Sequence, residues 1–369
     1  MKNLIRISAL IFSLLLLFSS CGGHSIVIGT PDSSATETVD TTKARIAVLN
    51  GPTGFGMAPL SYQIETDPSS RAAKIISTID YLEDATLISP RLINGEVDIA
   101  AVPTNLAAVL YNKTGGEVQV LGLNTLGVLY VLDTGMGTAE HIGLTDLAGQ
   151  TVSVPGTGTN PEYVLRAILK KKGLLDKVKI DDSNASPDAL GAAVLSNKAQ
   201  YALLPEPKIS VTQYKYLSAH KNMDAAYHCD IFLDISKEWK DAFGCDLVQG
   251  CFVVRKKFAE EHTQVVKAFI EEYVKACGLT EKEKLNAITG IGLLPDNLFE
   301  TPLAYTTQTA EEYKKQSYRN LLAKCNLVAQ FGEEIKKPLK TYWQALYDII
   351  PSSVGGKMPD DGIFCILPQ

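Results

Sequence analysis

No Cys-x-x-Cys pair, no basic cluster in the loops and no second long apolar run occurs in this 369-residue chain. Each absence removes a class of function. Without paired cysteines at metal spacing, His228-Cys229 stands alone and a bound metal has no ligand set to use. The balance of 35 basic to 41 acidic residues gives a net charge of −6, and loss of Lys2 and Arg6 with an N-terminal signal would make the remainder more acidic still. With no basic patch in the loops, nucleic acid and other polyanions are excluded as partners. After the run Ile7 to Phe18 nothing is long and uncharged enough to span a membrane. No segment recurs at a period of roughly 20–50 residues, so solenoids and propellers are excluded. What remains is a chain that is 46% apolar and long enough for two cores.

The N-terminus is the clearest signal. Met1-Lys2-Asn3-Leu4-Ile5-Arg6 is a basic start, Ile7 to Phe18 is apolar, and Ser19-Ser20 precedes Cys21. This order marks a secretory signal over residues 1–20, too short in its apolar part to span a bilayer. Cys21 after two small residues resembles the lipobox of bacterial lipoproteins, with Phe18 in place of the commoner Leu three positions before the cut. The resemblance implies a lipidated cysteine as the new N-terminus, anchored because each buried methylene contributes about 0.8 kcal/mol. Residues 21–43 are rich in Ser, Thr, Gly and Asp and read as a flexible tether. Export also permits disulfides among Cys229, Cys245, Cys251, Cys277, Cys325 and Cys365, but sequence chooses neither a pairing nor free thiols.

From Ala44 strands and helices alternate. Two segments stand out, Gly51-Pro52-Thr53-Gly54-Phe55-Gly56 and Gly156-Thr157-Gly158-Thr159-Asn160-Pro161-Glu162. Each follows a β-like run, Ile46 to Leu49 and Thr151 to Val154, and each opens a helical pattern. Glycines allow the tight turn, and the first four N–H groups of a helix lack internal partners, so both segments predict polar sockets. Pro103-Thr104-Asn105, after the buried run Val97 to Val102, predicts a third such wall. Pro205-Glu206-Pro207 stops regular structure beside a carboxylate. Expected helices are Met57–Ile64, Ala85–Asn94, Leu106–Asn112, Tyr163–Leu174, Asp188–Ser196, Glu260–Cys277, Glu281–Thr289, Ala310–Cys325 and Glu333–Ile350. Lys74–Tyr81, Val118–Leu132, Val178–Ile180, Tyr201–Leu204 and Leu247–Arg255 read as strands, and Asp181–Pro187 and Cys229–Cys245 as surface connections. The candidate ligand-binding residues are Thr53, Gly54, Phe55, Thr104, Asn105, Gly158, Thr159, Asn160 and Glu206, with Thr157 beside them.

In order and spacing, Gly51 to Gly54, Gly95-Glu96-Val97-Asp98-Ile99, Val102 to Ala107, Leu126 to Tyr130, Gly149 to Val152, Gly156 to Glu162, Leu203 to Pro207 and Gly355 to Asp361 together resemble type II periplasmic solute-binding proteins of ABC importers. The branch resembled holds nitrate, sulfonate, taurine and thiamine-precursor binders. It implies an α/β fold of two lobes, residues 44–130 with 252–369 and residues 131–251, joined by crossing strands near Val128–Asp133 and Gln249–Val254. It further implies an extracytoplasmic, membrane-anchored monomer that closes on a small organic solute and delivers it to a permease with its ATPase. No catalysis, cofactor or metal is implied.

The ligand stays open. No Arg or Lys lies in the candidate loops, so N–H and hydroxyl groups alone would hold an oxyanion, whereas Glu206 in the cleft favours a cationic or hydrogen-donating ring. Two other classes compete: an exported enzyme on the same fold, and a sensory or adhesive surface lipoprotein. Catalysis needs a positioned acid or base, yet His24, His141, His220, His228 and His262 all fall outside the candidate loops. Metabolic labelling with a fatty-acid analogue should mark the wild type and spare Cys21→Ser; equal labelling of the two would remove the anchor.

Overall fold

The computed structural model describes residues 40–369 except 136–142, 221–227, 296–297, 301–307 and 368–369. The expected signal, Cys21 and the tether up to residue 39 lie outside the described residues. The body opens with β1 (Ala44–Leu49), α1 (Pro52–Thr66), α2 (Arg71–Ile75), β2 (Ile76–Leu82), α3 (Ala85–Ile93), β3 (Ile99–Pro103), α4 (Thr104–Thr114) and β4 (Val118–Leu126). A second set follows: β5 (Leu129–Asp133), β6 (Thr151–Pro155), α5 (Asn160–Lys171), β7 (Lys179–Asn184), α6 (Pro187–Leu195), β8 (Tyr201–Pro205), α7 (Lys208–Ala219), β9 (Asp230–Asp234) and α8 (Ile235–Phe243). The chain then returns through β10 (Val248–Arg255), α9 (Lys256–Glu261), α10 (Thr263–Cys277), α11 (Glu281–Gly290), α12 (Ala310–Lys324), β11 (Leu327–Phe331) and α13 (Lys336–Tyr347).

The strands form two sheets, ordered β11-β4-β10-β3-β1-β2 and β7-β6-β8-β5-β9. In both, the strand that follows a passage between sheets is inserted antiparallel: β5 pairs with β8 and β9, and β10 pairs with β3 and β4. Register fixes where the sheets meet. Pro103 at the end of β3 pairs with Gly250, which pairs in turn with Thr125 near the end of β4. Pro205 at the end of β8 pairs with Leu129, the first residue of β5. Since only Gly127-Val128 separates β4 from β5, the carboxyl ends of both sheets' parallel strands lie at the edges this linker joins. That is where open α/β sheets bind ligands. The architecture is the two-lobed α/β arrangement expected.

β3 reads Ile-Ala-Ala-Val-Pro and is buried on both faces, as a central strand covered by helices on each side requires. On one face of the first sheet Phe252 packs edge-on against Phe269 and Tyr273 of α10. On the other, a core containing Val102 and Trp343 continues without a break into the second lobe through Val152 and Trp239. The rings of Trp239 on α8 and Tyr342 on α13 lie 5.6 Å apart across that seam.

Several sequence expectations are corrected. Cys229–Cys245 is no surface connection, for it contains β9 and α8, and Trp239 is fully buried. Its apolar residues were masked by charged neighbours in Ile235-Ser236-Lys237-Glu238-Trp239. The 181–187 connection is half strand, because β7 is a sheet edge and its side chains need not be apolar. Lys74 and Ile75 of the expected strand Lys74–Tyr81 belong to helix α2, which is capped by Ser70. Helix α1 starts at Pro52, five residues early, despite two glycines. A Cβ at Gly54 would meet the Leu49 carbonyl at 2.6 Å, and one at Gly56 the Tyr273 hydroxyl at 2.7 Å. Close packing there overrides helix propensity. Helix α7 and strand β11 were not expected, and the helix expected at Glu260–Cys277 breaks at His262. Of the segments expected near the crossings, Leu129–Asp133 and Gln249–Val254 lie within single sheets, and the passages themselves are the adjoining Gly127-Val128 and the stretch from α8 to Val248. The six described cysteines are free thiols.

If α8 is part of the core, Trp239→Ala should cost about 3–5 kcal/mol in chemical denaturation. A cost below about 1 kcal/mol, the range of surface positions, would return the segment to the surface.

Candidate functional site

Three helix starts converge on the facing edges. At α1, Thr53 Oγ1 donates to the Leu49 carbonyl at 3.0 Å, so its hydroxyl hydrogen is spent and its lone pairs remain. Gly54 faces the end of β1 and the Tyr81 ring. Phe55, expected on the cleft, is instead buried in a core with Ala58, Ile288, Phe299 and Tyr318. The helical period carries it to the side opposite the socket.

At α4, Thr104 is fully buried, its carbonyl accepts from Trp343 Nε1 at 2.9 Å, and its own Oγ1 has no partner. Asn105 follows. Its Oδ1 accepts from Asn160 Nδ2 at 3.3 Å, and Asn160 is the first residue of α5 in the other lobe. Asn160 Oδ1 in turn accepts from Gln249 Nε2 at 3.4 Å, while Gln249 Oε1 accepts from the Val128 amide at 2.6 Å. A chain of amides thus joins the helix starts of both lobes to the linker and to the return strand. The two bonds to Asn160 are longer than the usual distance of about 2.9–3.0 Å and correspondingly weak.

At α5 the socket is partly filled by the protein itself. Gly158 N–H donates to Glu162 Oε2 at 2.6 Å, and Glu162, almost fully buried, also accepts from Arg166 Nε at 2.7 Å. Thr159 Oγ1 donates back to the Gly156 carbonyl at 3.0 Å. The α5 N-terminus, where a helix favours negative charge, already holds a carboxylate.

Glu206 closes the other side. It is 1% exposed; its amide donates to the Val128 carbonyl at 2.9 Å, and Oε1 accepts from Ser210 Oγ at 2.7 Å and pairs with Lys324 Nζ at 3.4 Å. Oε2 has no partner. Lys324 comes from the end of α12 in the first lobe, and its ammonium also donates to Ser210 Oγ at 3.1 Å. Burial pushes the Glu206 carboxyl above its ordinary range, and Lys324 and Ser210 pull it back in part.

Gly250 forms the floor under Thr53. A Cβ there would lie 2.6 Å from Asn124 Oδ1 and 2.9 Å from Thr125 and Thr53. Asn124 and Thr125 are buried with unpartnered side-chain polar atoms. Sequence reasoning missed Lys324, Gln249, Gly250, Asn124 and Thr125. Each sits inside an ordinary strand or helix pattern, and only register brings it to the edge. Two surface cavities, about 410 Å³ among α1, α10 and α11 and about 600 Å³ between α11 and α12, are lined by none of these residues, whereas one of about 200 Å³ between α7 and α12 is bordered by Lys324 and Ser210.

A carboxyl raised on folding contributes stability that is complete below its unfolded value of 4.5 and is lost as pH climbs through the higher folded value. Glu206→Gln does not titrate. Its melting temperature minus that of the wild type should therefore rise from pH 4 to pH 8; a difference that stays flat would mean no raised carboxyl.

No protein-family model and no curated protein sequence matches the chain. Solved structures do. An ABC transporter protein from Parabacteroides distasonis aligns with a TM-score of 0.66 at 21% identity, over 89% of this chain and 99% of that one. The periplasmic aliphatic sulphonate binding protein of Escherichia coli aligns at 0.63 and 13% identity, over 89% and 93%. The alkanesulfonate-binding protein of Xanthomonas axonopodis pv. citri, bound to MOPS, aligns at 0.55 and 15%, over 87% and 95%. The likeness is one of fold, the two-lobed type II binding-protein fold.

Proposed function

We propose that this chain captures a small organic solute between its lobes and presents it to the permease and ATPase of an ABC importer, working as a monomer outside the cytoplasm and anchored through Cys21. The first lobe comprises residues 44–126 and the chain from Val248, so that the boundaries move from 130 and 252 to take β10 wholly into it, and the second runs from Leu129 to the end of α8. Thr53, Gly54, Thr104, Asn105, Thr159, Asn160 and Glu206 are its ligand-facing residues, with Asn124, Thr125 and Gln249 added.

The observation that carries this reading is the amide chain Asn105–Asn160–Gln249. It joins helix starts of separate lobes by long bonds that a ligand can replace, and it lies among buried polar atoms without partners. Buried polar groups in proteins are otherwise almost always bonded, and each unmade bond costs about 1–3 kcal/mol. A polar solute that completes them recovers that cost on closure. Fold likeness to proteins of ABC import supports the reading. The three described histidines lie away from these helix starts: His220 Nδ1 lies against the Tyr216 carbonyl, His228 against Asp133 and His262 against Asp40.

Native mass spectrometry of freshly purified protein should show a retained small molecule at one per chain. Asn105→Ala with Asn160→Ala should weaken its retention by about 2- to 12-fold per lost bond. An empty wild type in every preparation, or conversion of the molecule to a product, would sink the capture reading.

A further inference from the structure

Among the described residues, the two ionised side chains at the helix starts after β6 and β8 are each matched by a charge of opposite sign from the same protein. Glu162 at the α5 N-terminus is held by Arg166 at 2.7 Å, and Glu206 is held by Lys324 at 3.4 Å. Both carboxylates are almost fully buried. The other groups there, Thr53, Thr104, Asn105, Asn124, Thr125, Asn160 and Gln249, are neutral. Among the described residues an ionic solute beside these helix starts would therefore find no free counter-charge, and a buried unpaired charge is far more costly than a buried neutral polar group. The α5 N-terminus offers no refuge for an oxyanion, because the Gly158 N–H and the helix dipole are already engaged by Glu162.

Of the buried side-chain atoms there without a partner, one belongs to a charged group. Glu206 Oε1 takes both Ser210 and Lys324, while Oε2 is buried with nothing bonded to it. A carboxylate oxygen accepts only, so what is missing there is a donor. From this balance of charge and unmade bonds we infer that the captured solute is electrically neutral and places an N–H donor on Glu206 Oε2. Glu206 is then a specificity-determining residue, and Lys324 is the positioning residue that cancels its charge. The inference rests on the capture reading above, and it separates this chain from the sulphonate-binding proteins that share its fold, whose ligands carry a fixed negative charge.

The test uses three monosubstituted benzenes as probes: benzamide, which is neutral and donates N–H; benzamidinium, a cation; and benzenesulfonate, an anion. Ligands that bind the folded state raise its melting temperature by mass action. In the mature protein benzamide should raise it and the two ions should not. Glu206→Gln should weaken benzamide about tenfold or more, the effect of losing a bond to a charged group. Lys324→Met supplies a second arm should Glu206→Gln fail to fold. It leaves the cleft with one uncancelled negative charge, so benzamidinium should overtake benzamide. The inference is overturned if either ion stabilises the wild type more than benzamide, if none of the three stabilises it, or if the variants leave the order of probes unchanged. Benzenesulfonate binding would overturn the charge class and leave capture standing. A purified protein that never retains a solute would instead remove capture itself.

Discussion

The side chain of Gln249, near the start of the return strand, touches the forward passage between the sheets and the start of α5, and the site depends on those contacts. Its Oε1 takes the amide of Val128 in the forward linker, its own backbone begins the return strand, and its Nε2 reaches Asn160 at the start of α5. One amide therefore sets the distance between the linker, the return strand and the second lobe's helix start. Val128 is in turn tied to the second sheet, its carbonyl accepting from the Glu206 amide at 2.9 Å. A buried amide bonded on both its atoms is well suited to this, since it bears no charge to desolvate and offers one donor and one acceptor face.

A second clamp lies at the end of α12. Tyr130 Oη donates to the Lys324 carbonyl at 3.2 Å, Asn326 Nδ2 donates to the Gly127 carbonyl at 2.5 Å, and the Leu126 amide donates to the Asn326 carbonyl at 3.0 Å. Asn326 holds a positive φ of 44°, which Asn tolerates better than most residues, and this turns the chain from α12 into β11 beside the linker. Among the described ion pairs, Lys324–Glu206 is the one that joins the lobes. Polar contacts therefore govern this side of the molecule. The opposite side is governed by the continuous apolar core from Trp343 to Trp239. Apolar contact is tolerant of small rotations and hydrogen bonding is not, so the two sides constrain lobe movement differently.

Much of the fold was legible in the sequence because it rests on local signals. The glycine turns after β1 and β6, the apolar β3 and β8, and the amphipathic α5, α10 and α12 all announce themselves by period and punctuation. What could not be read is what tertiary structure alone decides. Glycines that would weaken α1 in isolation are required where it passes Leu49 and Tyr273. Charged residues around Trp239 hide a helix whose single apolar face is buried. In the site, Thr104, Asn105, Asn160 and Glu206 were visible because each follows a strand at a helix start. Lys324 was not visible, since a lysine in the last turn of a helix is the commonest of capping choices and gives no sign that its ammonium reaches a carboxylate more than a hundred positions earlier.

The insertion of β10 between β3 and β4 has a consequence for the order in which the chain can fold. All five strands of the second sheet are contained between Leu129 and Asp234, so that sheet is complete once residue 234 is available. The first sheet, although it begins at Ala44, lacks a middle strand until Arg255 has emerged. Until then β3 and β4 present unpaired inner edges, and closing them spans more than a hundred residues of intervening chain. The lobe that comes second in sequence is thus the first able to finish, and as the chain emerges it is the N-terminal strands that must wait, exposed, for their partner.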